Sequence, residues 1–442
     1  MNETRILTQY CSDEHQCSIE TYENNHGYLA IRRALKEIAP DNLIEMVKAS
    51  GLRGRGGAGF PTGVKWGFVP KDPSLPKYVV CNADESEPGT FKDRLLMEKD
   101  PHQLLEGVML ASYAIGAKKA FIYCRGEYYE SIRKLEKAVE EAHAKGYLGQ
   151  SIFGSSFSLD IVIHVGAGAY IAGEETALLN SLEGYRATPR LKPPFPAVEG
   201  LYNKPTIINN VETLCCVVHI VNRGVDWFQS IGKPKNSGPK IFQISGQIKN
   251  PGCYEFPIGI SLRDVLNAAG GMLPGRKFKA CYPGGSSCAL LTEKDLDLSM
   301  DFDTLNEHKS AFGTASIIVM DDSADMVKVA WRLMEFYQNE SCGKCTPCRE
   351  GTRWVVQILE RIYSGKGTLY DLEVIDQVCK SMAANSFCPL AVGAAPPIIS
   401  AIVEFRDEFE AAIRKSPHEK SYADMRMAYP YQKNTKRLAV LK

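Results

Sequence analysis

Three cysteines follow one another at intervals of three in the segment Glu340-Ser-Cys-Gly-Lys-Cys-Thr-Pro-Cys-Arg349. This spacing places three thiolates on one tight loop, which can hold three corners of a cubane cluster while a more distant residue supplies the fourth ligand. Cys388 is the preferred fourth ligand because it lies in a predicted turn between helices, and Cys379, inside a predicted helix, is the alternative. The predicted [4Fe–4S] ligands are therefore Cys342, Cys345, Cys348 and Cys388.

Two other kinds of thiol site compete with this interpretation. Structural zinc sites usually combine two separate C-x-x-C pairs, which differs from a single triple run. A thioredoxin-type dithiol would need a βαβ context, whereas this segment lies in a predicted helical region. Unliganded, reduced thiols are the remaining alternative. Most of the other cysteines among the 14 lie in apolar or mixed surroundings, which favours a packing role.

A glycine-rich segment, Gly51-Leu-Arg-Gly-Arg-Gly-Gly-Ala-Gly59, has the composition of a ligand-binding loop. It contains a G-x-G-x-x-G pattern, but it follows a predicted helix instead of the strand that the Rossmann fingerprint requires. Glycines still allow backbone N–H groups to approach an anionic ligand closely, and Arg53, Arg55 and Lys65 supply positive charge. We interpret the loop as a site for a phosphate-bearing cofactor; a simple flexible linker is the alternative.

Three further segments carry polar groups next to predicted elements. Residues 81–89, Cys-Asn-Ala-Asp-Glu-Ser-Glu-Pro-Gly, follow a predicted strand, and residues 166–176 repeat the design with a small-residue loop before two glutamates. Residues 206–213 add a pair of asparagines. Ligands of parallel α/β folds bind at the carboxyl edge of the sheet, where such segments meet. A solvated acidic turn and ordinary helix capping are the alternatives.

These segments are spaced by an alternation of short apolar strands and amphipathic helices between residues 78 and 182, which predicts a parallel sheet covered by helices. Residues 241–256 are predicted to form a hairpin within a small α+β domain. From residue 325 the pattern is helical, with helices predicted over 325–339, 347–363, 369–383 and 391–414, which indicates an antiparallel bundle.

The composition excludes several classes of protein. The 442 residues include 52 Lys and Arg against 52 Asp and Glu, with 44% hydrophobic residues, so nucleic acid is not an expected partner. No stretch of 18 apolar residues and no signal-peptide pattern is present in the sequence, so we expect neither direct membrane insertion nor secretion. None of the eight histidines stands in a metal or nucleophile pattern. The lack of such a histidine pattern is compatible with hydride transfer, which depends on the positioning of donor and acceptor more than on a protein acid or base.

In this order, the motifs closely resemble those of the NADH-binding flavoprotein subunit of respiratory complex I, the family of F subunits of bacterial NADH-quinone oxidoreductases. The resemblance covers roughly residues 27–415. It is carried by the segments 52–63 with Lys65-Trp66, 81–89, 173–177, 209–213 and 340–349. One departure is Ala172, which stands where a cysteine is expected before Gly-Glu-Glu.

The resemblance implies a multidomain α/β architecture: a Rossmann-like FMN/NADH-binding domain, a small ubiquitin-like α+β domain and a C-terminal four-helix bundle that carries the cluster. The implied limits are 1–60 for an N-terminal helical segment and the start of the glycine-rich loop, 61–238 for the FMN/NADH domain, 239–324 for the ubiquitin-like domain, 325–420 for the bundle and 421–442 for a C-terminal tail.

The resemblance also implies the ligand contacts. For FMN they are Gly54, Arg55, Gly56, Gly57, Lys65, Asn82, Asp84, Glu85, Ser86, Gly173, Glu174, Glu175, Asn209, Asn210 and Thr213. For NADH they are Phe60, Lys65, Phe68, Glu87, Tyr170, Glu175 and Phe195.

The implied activity is that of an NADH:quinone oxidoreductase. FMN accepts a hydride from NADH and passes electrons singly to the [4Fe–4S] cluster and onward toward quinone, with no residue acting as acid or base. The implied partners are a [2Fe–2S] subunit and a large multi-cluster subunit. The implied location is the cytoplasm, in a peripheral arm on the cytoplasmic face of the bacterial inner membrane, or the matrix side if mitochondrial.

The nearest alternative is the flavoprotein subunit of a soluble NAD-linked hydrogenase or formate dehydrogenase. Such chains often carry additional terminal cluster domains, and the short segments outside the matching region favour complex I here. A more remote alternative is a non-catalytic scaffold stabilised by zinc.

Overall fold

A computed structural model describes residues 3–12 and 17–414. The first part of the chain forms an α/β unit whose four-stranded parallel sheet has the order β3-β2-β1-β4. Its strands are β1 (Tyr78–Ala83), β2 (Lys119–Cys124), β3 (Asp160–Val165) and β4 (Thr206–Asn210). Its helices are α1 (Ile19–Asn24), α2 (Leu29–Glu37), α3 (Pro40–Ala49), α4 (Thr62–Gly67), α5 (Lys92–Lys99), α6 (Pro101–Ile115), α7 (Tyr129–Ala144), α8 (Glu175–Leu182), α9 (Val211–Arg223) and α10 (Val225–Gln229).

The largest apolar core lies between this sheet and its helices. Helix α6 is almost wholly buried, and it packs with α9 and α2 against the face of the sheet that includes Val79 and Ile207. Val80 and Ile208 face the other side, where they join a smaller core with α8. The two inner strands thus bury apolar side chains on both faces, which is the pattern that parallel sheets require.

A small α+β unit follows. Its mixed sheet, of order β10-β9-β11-β7-β8, pairs only β7 and β11 in parallel. The elements are a two-stranded ribbon of β5 (Gly232–Lys233) and β6 (Asn236–Ser237), then β7 (Pro239–Gly246), β8 (Gly252–Pro257), α11 (Leu262–Ala268), β9 (Phe278–Tyr282), β10 (Leu291–Thr292), α12 (Phe302–Glu307) and β11 (Ser316–Asp321). The predicted hairpin is confirmed as β7 and β8.

The remaining helices form the predicted bundle. They are α13 (Met326–Glu340), α14 (Thr346–Tyr363), α15 (Leu369–Asn385) and α16 (Pro389–Glu404), followed by α17 (Arg406–Arg414), which packs against α13 and α14. The prediction of a single helix over residues 391–414 is wrong, because two helices, α16 and α17, occupy this range and the chain bends by 78° between them.

The predicted fold class, an α/β domain with a small α+β domain and a helical bundle, is confirmed. The domain limits themselves stay predictions, and the limit at residue 420 lies outside the described residues. Within the described part of the chain, no single helix is long and apolar enough to span a membrane; α16 and α17 meet the length and composition criterion only as a bent pair.

Candidate functional site

The glycine-rich loop lies between α3 and α4 and is closed on itself by a hydrogen bond from Gly54 N to Phe60 O, 2.9 Å long. It is held against the start of α9, where Arg55 N donates to Thr213 Oγ1 at 2.8 Å. Gly57 has a φ of 124°, and apart from Gly57 and its two chain neighbours no atom of the described residues lies within 4 Å of the position that a Cβ would take there. The backbone at Gly57 is thus open to a ligand.

The same loop meets the carboxyl end of β4. A Cβ on Gly56 would lie 2.9 Å from Cβ of Asn210, so the loop backbone packs directly on this strand end. Just after the loop, Lys65 Nζ donates to Ile208 O at 2.8 Å and Trp66 Nε1 donates to Asn209 Oδ1 at 2.8 Å. The predicted loop and the predicted asparagine pair therefore lie together.

The carboxyl end of β1 completes this edge. Asn82 is directly opposite Asn210 in the parallel pairing of β1 with β4. Its Nδ2 donates to Gly173 O at 2.8 Å, which joins β1 to the short 3₁₀ turn Tyr170–Gly173 ahead of α8. All four segments that the sequence singled out meet at one edge of the parallel sheet, where α/β folds bind ligands. That each predicted residue contacts FMN stays a prediction.

Two buried carboxyls follow β1, and their surroundings differ. Burial raises the pKa of both Asp84 and Glu85 to about 7. Glu85 accepts hydrogen bonds from the backbone N–H groups of Asp93 and Arg94, at 2.8 and 2.9 Å, so it caps the start of α5. Asp84 accepts one bond from Ser86, while its Oδ1 is buried without a partner in the described residues. Asp84 is thus the better candidate for direct contact with a ligand.

The two glutamates before α8 also differ. Glu174 caps the helix through bonds from the Thr176 and Ala177 N–H groups. Burial alone would raise the pKa of Glu175, but the ammonium groups of Lys65 and Lys192, at 2.9 and 2.7 Å, lower it to about 2. Glu175 is therefore ionised at neutral pH, and two lysines neutralise its charge.

The three phenylalanines predicted to contact NADH are unusually exposed for apolar side chains. Phe60, Phe68 and Phe195 are 50%, 55% and 58% exposed, and the first two rings have centroids 6.4 Å apart. Exposed rings are suited to stacking on a planar base. Glu87 is instead partly buried, and the desolvation of its carboxylate raises its pKa. This carboxylate accepts bonds from Tyr170 OH and Ser287 N at 2.7 and 2.8 Å.

The four predicted cluster cysteines lie together at one end of the bundle. Cys345 and Cys388 each stand at the N-cap of a helix, α14 and α16 respectively, where the helix dipole favours a thiolate. Burial raises the pKa of Cys388 to about 11, and the neighbouring thiols of Cys348, Cys342 and Cys345 add to the shift. Such a set of converging thiols fits a cubane cluster.

Cys379, the alternative ligand, lies inside α15 and is fully buried. Burial raises its pKa to about 12, with Asp376 as the charged neighbour. Among residues 3–12 and 17–414, no three His, Cys, Asp or Glu side chains are grouped as ligands of a single metal ion.

A buried ionic network beneath the glycine-rich loop was not predicted. Lys92 Nζ lies 2.6 Å from Asp93 Oδ1, 3.1 Å from Glu212 Oε2 and 3.2 Å from Asn210 Oδ1. Lys240, from the small α+β unit, also pairs with Glu212 at 2.6 Å. Because Asp93 further accepts a bond from Asn210 Nδ2 at 2.6 Å, both polar atoms of that amide are held by the network. Asn210, held in this way, supports the glycine-rich loop that packs on it at Gly56. No local sequence signal marks these residues as buried.

Substituting Gly56 with alanine tests the packing of the loop. The added Cβ would displace Asn210, and overpacking costs about 1–3 kcal/mol, so we expect FMN affinity to fall about tenfold or more. FMN titration by fluorescence measures this. Gly67→Ala is the matched control, because no described atom lies within 4 Å of its Cβ position. Equal FMN affinity of both variants would contradict the predicted role of the loop.

Comparison with known families identifies all three parts of the chain. Residues 47–219 match the Nuo51 FMN-binding domain, residues 241–290 match the SLBB domain, and residues 328–412 match the NADH-ubiquinone oxidoreductase-F iron-sulfur binding region. The first match contains the four segments at the sheet edge, and the last contains the four cysteines.

Similar proteins match over nearly the whole chain. One NADH-quinone oxidoreductase F subunit of Rhizobium meliloti is 57% identical over 398 residues, which cover 90% of this chain and 94% of that protein. The NADH-quinone oxidoreductase F subunit of Escherichia coli is 48% identical over 417 residues, which cover 93% and 94%. A crystal structure of an NAD+-reducing [NiFe]-hydrogenase in the H2-reduced state contains a chain that is 36% identical with a TM-score of 0.82, covering 99% of this chain and 71% of that one.

Proposed function

The chain belongs to the family of NADH-quinone oxidoreductase F subunits, and from this premise we propose that it oxidises NADH at the glycine-rich loop and delivers the electrons to a [4Fe–4S] cluster on Cys342, Cys345, Cys348 and Cys388. When bound, FMN supplies hydride acceptance, and the cluster supplies one-electron transfer. The protein's own contribution is to position both groups and the nucleotide.

One contact carries this proposal. Tyr170 N, in the turn that borders the carboxyl edge of the parallel sheet, donates to Glu340 Oε2 at 2.9 Å, and Glu340 lies two residues before Cys342. The side chain of the same tyrosine bonds Glu87 at 2.7 Å. The sheet edge and the cluster loop are thus joined through a single residue, so the residues that would hold the two cofactors are neighbours in the fold.

A second set of contacts fixes the cluster loop on the α/β unit. Arg186 Nη2 donates to Cys342 O at 3.1 Å, and Lys344 Nζ donates to Pro189 O at 2.8 Å. The same extended segment continues to Lys192 and to Phe195. One stretch of backbone therefore carries both the residues that contact the cluster loop and a residue predicted to contact NADH.

The visible spectrum of purified protein tests the proposal directly. We expect yellow-brown protein with flavin and iron–sulfur absorption that NADH bleaches, and reduction of ferricyanide by NADH. A colourless, zinc-loaded preparation would contradict it and would support the zinc-stabilised scaffold instead.

As a member of this family, the chain is one subunit of a multi-subunit NADH-quinone oxidoreductase. The neighbours that we propose are a [2Fe–2S] subunit and a large multi-cluster subunit, within a peripheral arm on the cytoplasmic face of the bacterial inner membrane. Affinity purification of the tagged full-length chain from native membranes, followed by mass spectrometry, tests this. Co-purification of a nickel-containing subunit would contradict these neighbours and would favour the hydrogenase alternative.

We expect NADPH to be oxidised about tenfold or more slowly than NADH, because carboxylates beside the nucleotide site repel the 2′-phosphate. Glu87 or Glu175 is the predicted source. Glu175 is ionised and pairs with Lys65 and Lys192, so its removal would leave two ammonium groups free to attract the 2′-phosphate. Steady-state rates with both nucleotides give the ratio of NADH oxidation to NADPH oxidation. We expect this ratio to be smaller in Glu175→Gln. Glu37→Gln, on the exposed side of α2, is the control. Equal rates in the unmodified protein would contradict the prediction.

A further inference from the structure

A serine hydroxyl lies against one of the cluster sulfurs. Ser341 Oγ is 3.3 Å from Cys348 Sγ, within the range of a hydrogen bond to sulfur, although the two residues are seven positions apart. Ser341 precedes the first cluster cysteine and is itself no ligand. Its contact with Cys348 arises because the loop folds back over the start of α14.

The surroundings of Ser341 determine the direction of this hydrogen bond. Gly343 N donates to Ser341 Oγ at 3.3 Å, so the serine oxygen is already an acceptor. A cysteine that ligates iron has lost its proton and can only accept. The serine proton is then the only one available between the two atoms, and the hydroxyl must donate to sulfur.

The hydroxyl is also held in place by its neighbours. Ser341 N donates to Tyr337 O at 3.0 Å, which closes the end of α13. The preceding residue, Glu340, is fixed by its bond from Tyr170 N. Ser341 therefore projects from a rigid helix end, whereas a hydroxyl on a free loop would exchange its partners with water.

We propose that Ser341 raises the reduction potential of the [4Fe–4S] cluster by donating a hydrogen bond to the sulfur of Cys348. This inference rests on the proposed function, because it needs the cluster to be present. Reduction adds negative charge to the cluster, and a donor aimed at a ligand sulfur stabilises that charge, so it favours the reduced form.

The test is a redox titration of the full-length chain, loaded with FMN and cluster, followed by the EPR signal of the reduced cluster. We expect the midpoint potential of Ser341→Ala to lie below that of the unmodified protein. Ser341→Thr retains the hydroxyl and should stay near the original value. Deuterium exchange adds a second readout: an exchangeable proton coupled to the cluster, detected by ENDOR, should be lost in Ser341→Ala and kept in Ser341→Thr.

Thr352→Val is the matched control. This substitution also removes a buried hydroxyl bonded to Cys348, but that hydroxyl donates to the backbone carbonyl at 2.8 Å and leaves the sulfur untouched. The potential of Thr352→Val should match that of the unmodified protein. An equal shift in Thr352→Val, or an unshifted Ser341→Ala, would overturn the inference.

If Ser341→Ala fails to assemble a cluster, Ser341→Gly serves as the second variant, and the ENDOR signal of the unmodified protein decides: absence of a strongly coupled exchangeable proton overturns the inference. Absence of any iron–sulfur signal from the unmodified protein would overturn the proposed function as well, which distinguishes the two failures.

Discussion

Replacing Cys388 with alanine is expected to abolish the [4Fe–4S] cluster, whereas replacing Cys379 with alanine is expected to leave it intact. Four cysteine thiolates are the usual ligands of a [4Fe–4S] cluster, and the predicted loop of Cys342, Cys345 and Cys348 offers three of them. We propose that Cys388 supplies the fourth, because it stands at the N-cap of α16 and its thiol interacts with the other three. We expect iron content to fall from about four atoms per chain to near zero in Cys388→Ala.

Cys379→Ala is a stringent control because this cysteine lies only nine positions away and is also buried. Its thiol points into the core of the bundle with the side chains of α15, and its charged neighbour is Asp376. Iron content and the EPR signal measure both variants, with FMN content as a check on folding. Retention of the cluster in Cys388→Ala together with its loss in Cys379→Ala would reverse the assignment.

The second large effect is expected from Lys92→Met. Burial on its own lowers the pKa of Lys92, but Asp93 and Glu212 outweigh this and raise the pKa above its usual value, so the ammonium is charged. Its removal leaves the buried carboxylate of Asp93 without its cationic partner and leaves Glu212 with Lys240 alone. Breaking a buried ionic group in this way costs about 3–5 kcal/mol of the free energy of unfolding.

Urea denaturation followed by circular dichroism measures this loss. The matched control is Lys71→Met, which breaks a similarly short ion pair with Asp41 whose partners are both largely exposed, and which should change stability little. We also expect Lys92→Met to bind FMN more weakly, because Asn210 loses one of the partners that hold it beneath the loop. If Lys92→Met were as stable as Lys71→Met, the buried ionic network would not contribute to the stability of the fold.

Much of the fold could be predicted from local patterns. The alternation of apolar runs predicts strands at 78–81, 120–124 and 159–163 and helices at 102–115 and 128–145. These lie within a few residues of β1, β2, β3, α6 and α7, since sheet and helix periodicities are short-range properties. Strand β4 was missed because it is only five residues long and ends in two asparagines, which are typical of a loop. Helix α5 was missed because its charged residues resemble a solvated surface, although Lys92 and Asp93 are buried.

The break between α16 and α17 is another feature that local sequence patterns do not predict. Pro396 and Pro397 lie inside α16, which nevertheless continues to Glu404 because its apolar side is packed in the bundle core. The chain then turns where α17 packs against α13 and α14. Packing therefore overrides local helix propensity both at the two prolines and at the turn between α16 and α17.

By itself, the sequence determined the chemistry that each segment could perform, because the spacing of three thiols and the density of glycines act within a single loop. Only the tertiary structure decided which groups meet. Lys65 pairs with Glu175 across 110 positions, and Tyr170 bonds Glu340 across 170. The charge of Glu175, the burial of Lys92 and the contact of Ser341 with Cys348 all depend on such meetings, since desolvation and pairing are set by neighbours in space and not by neighbours in sequence.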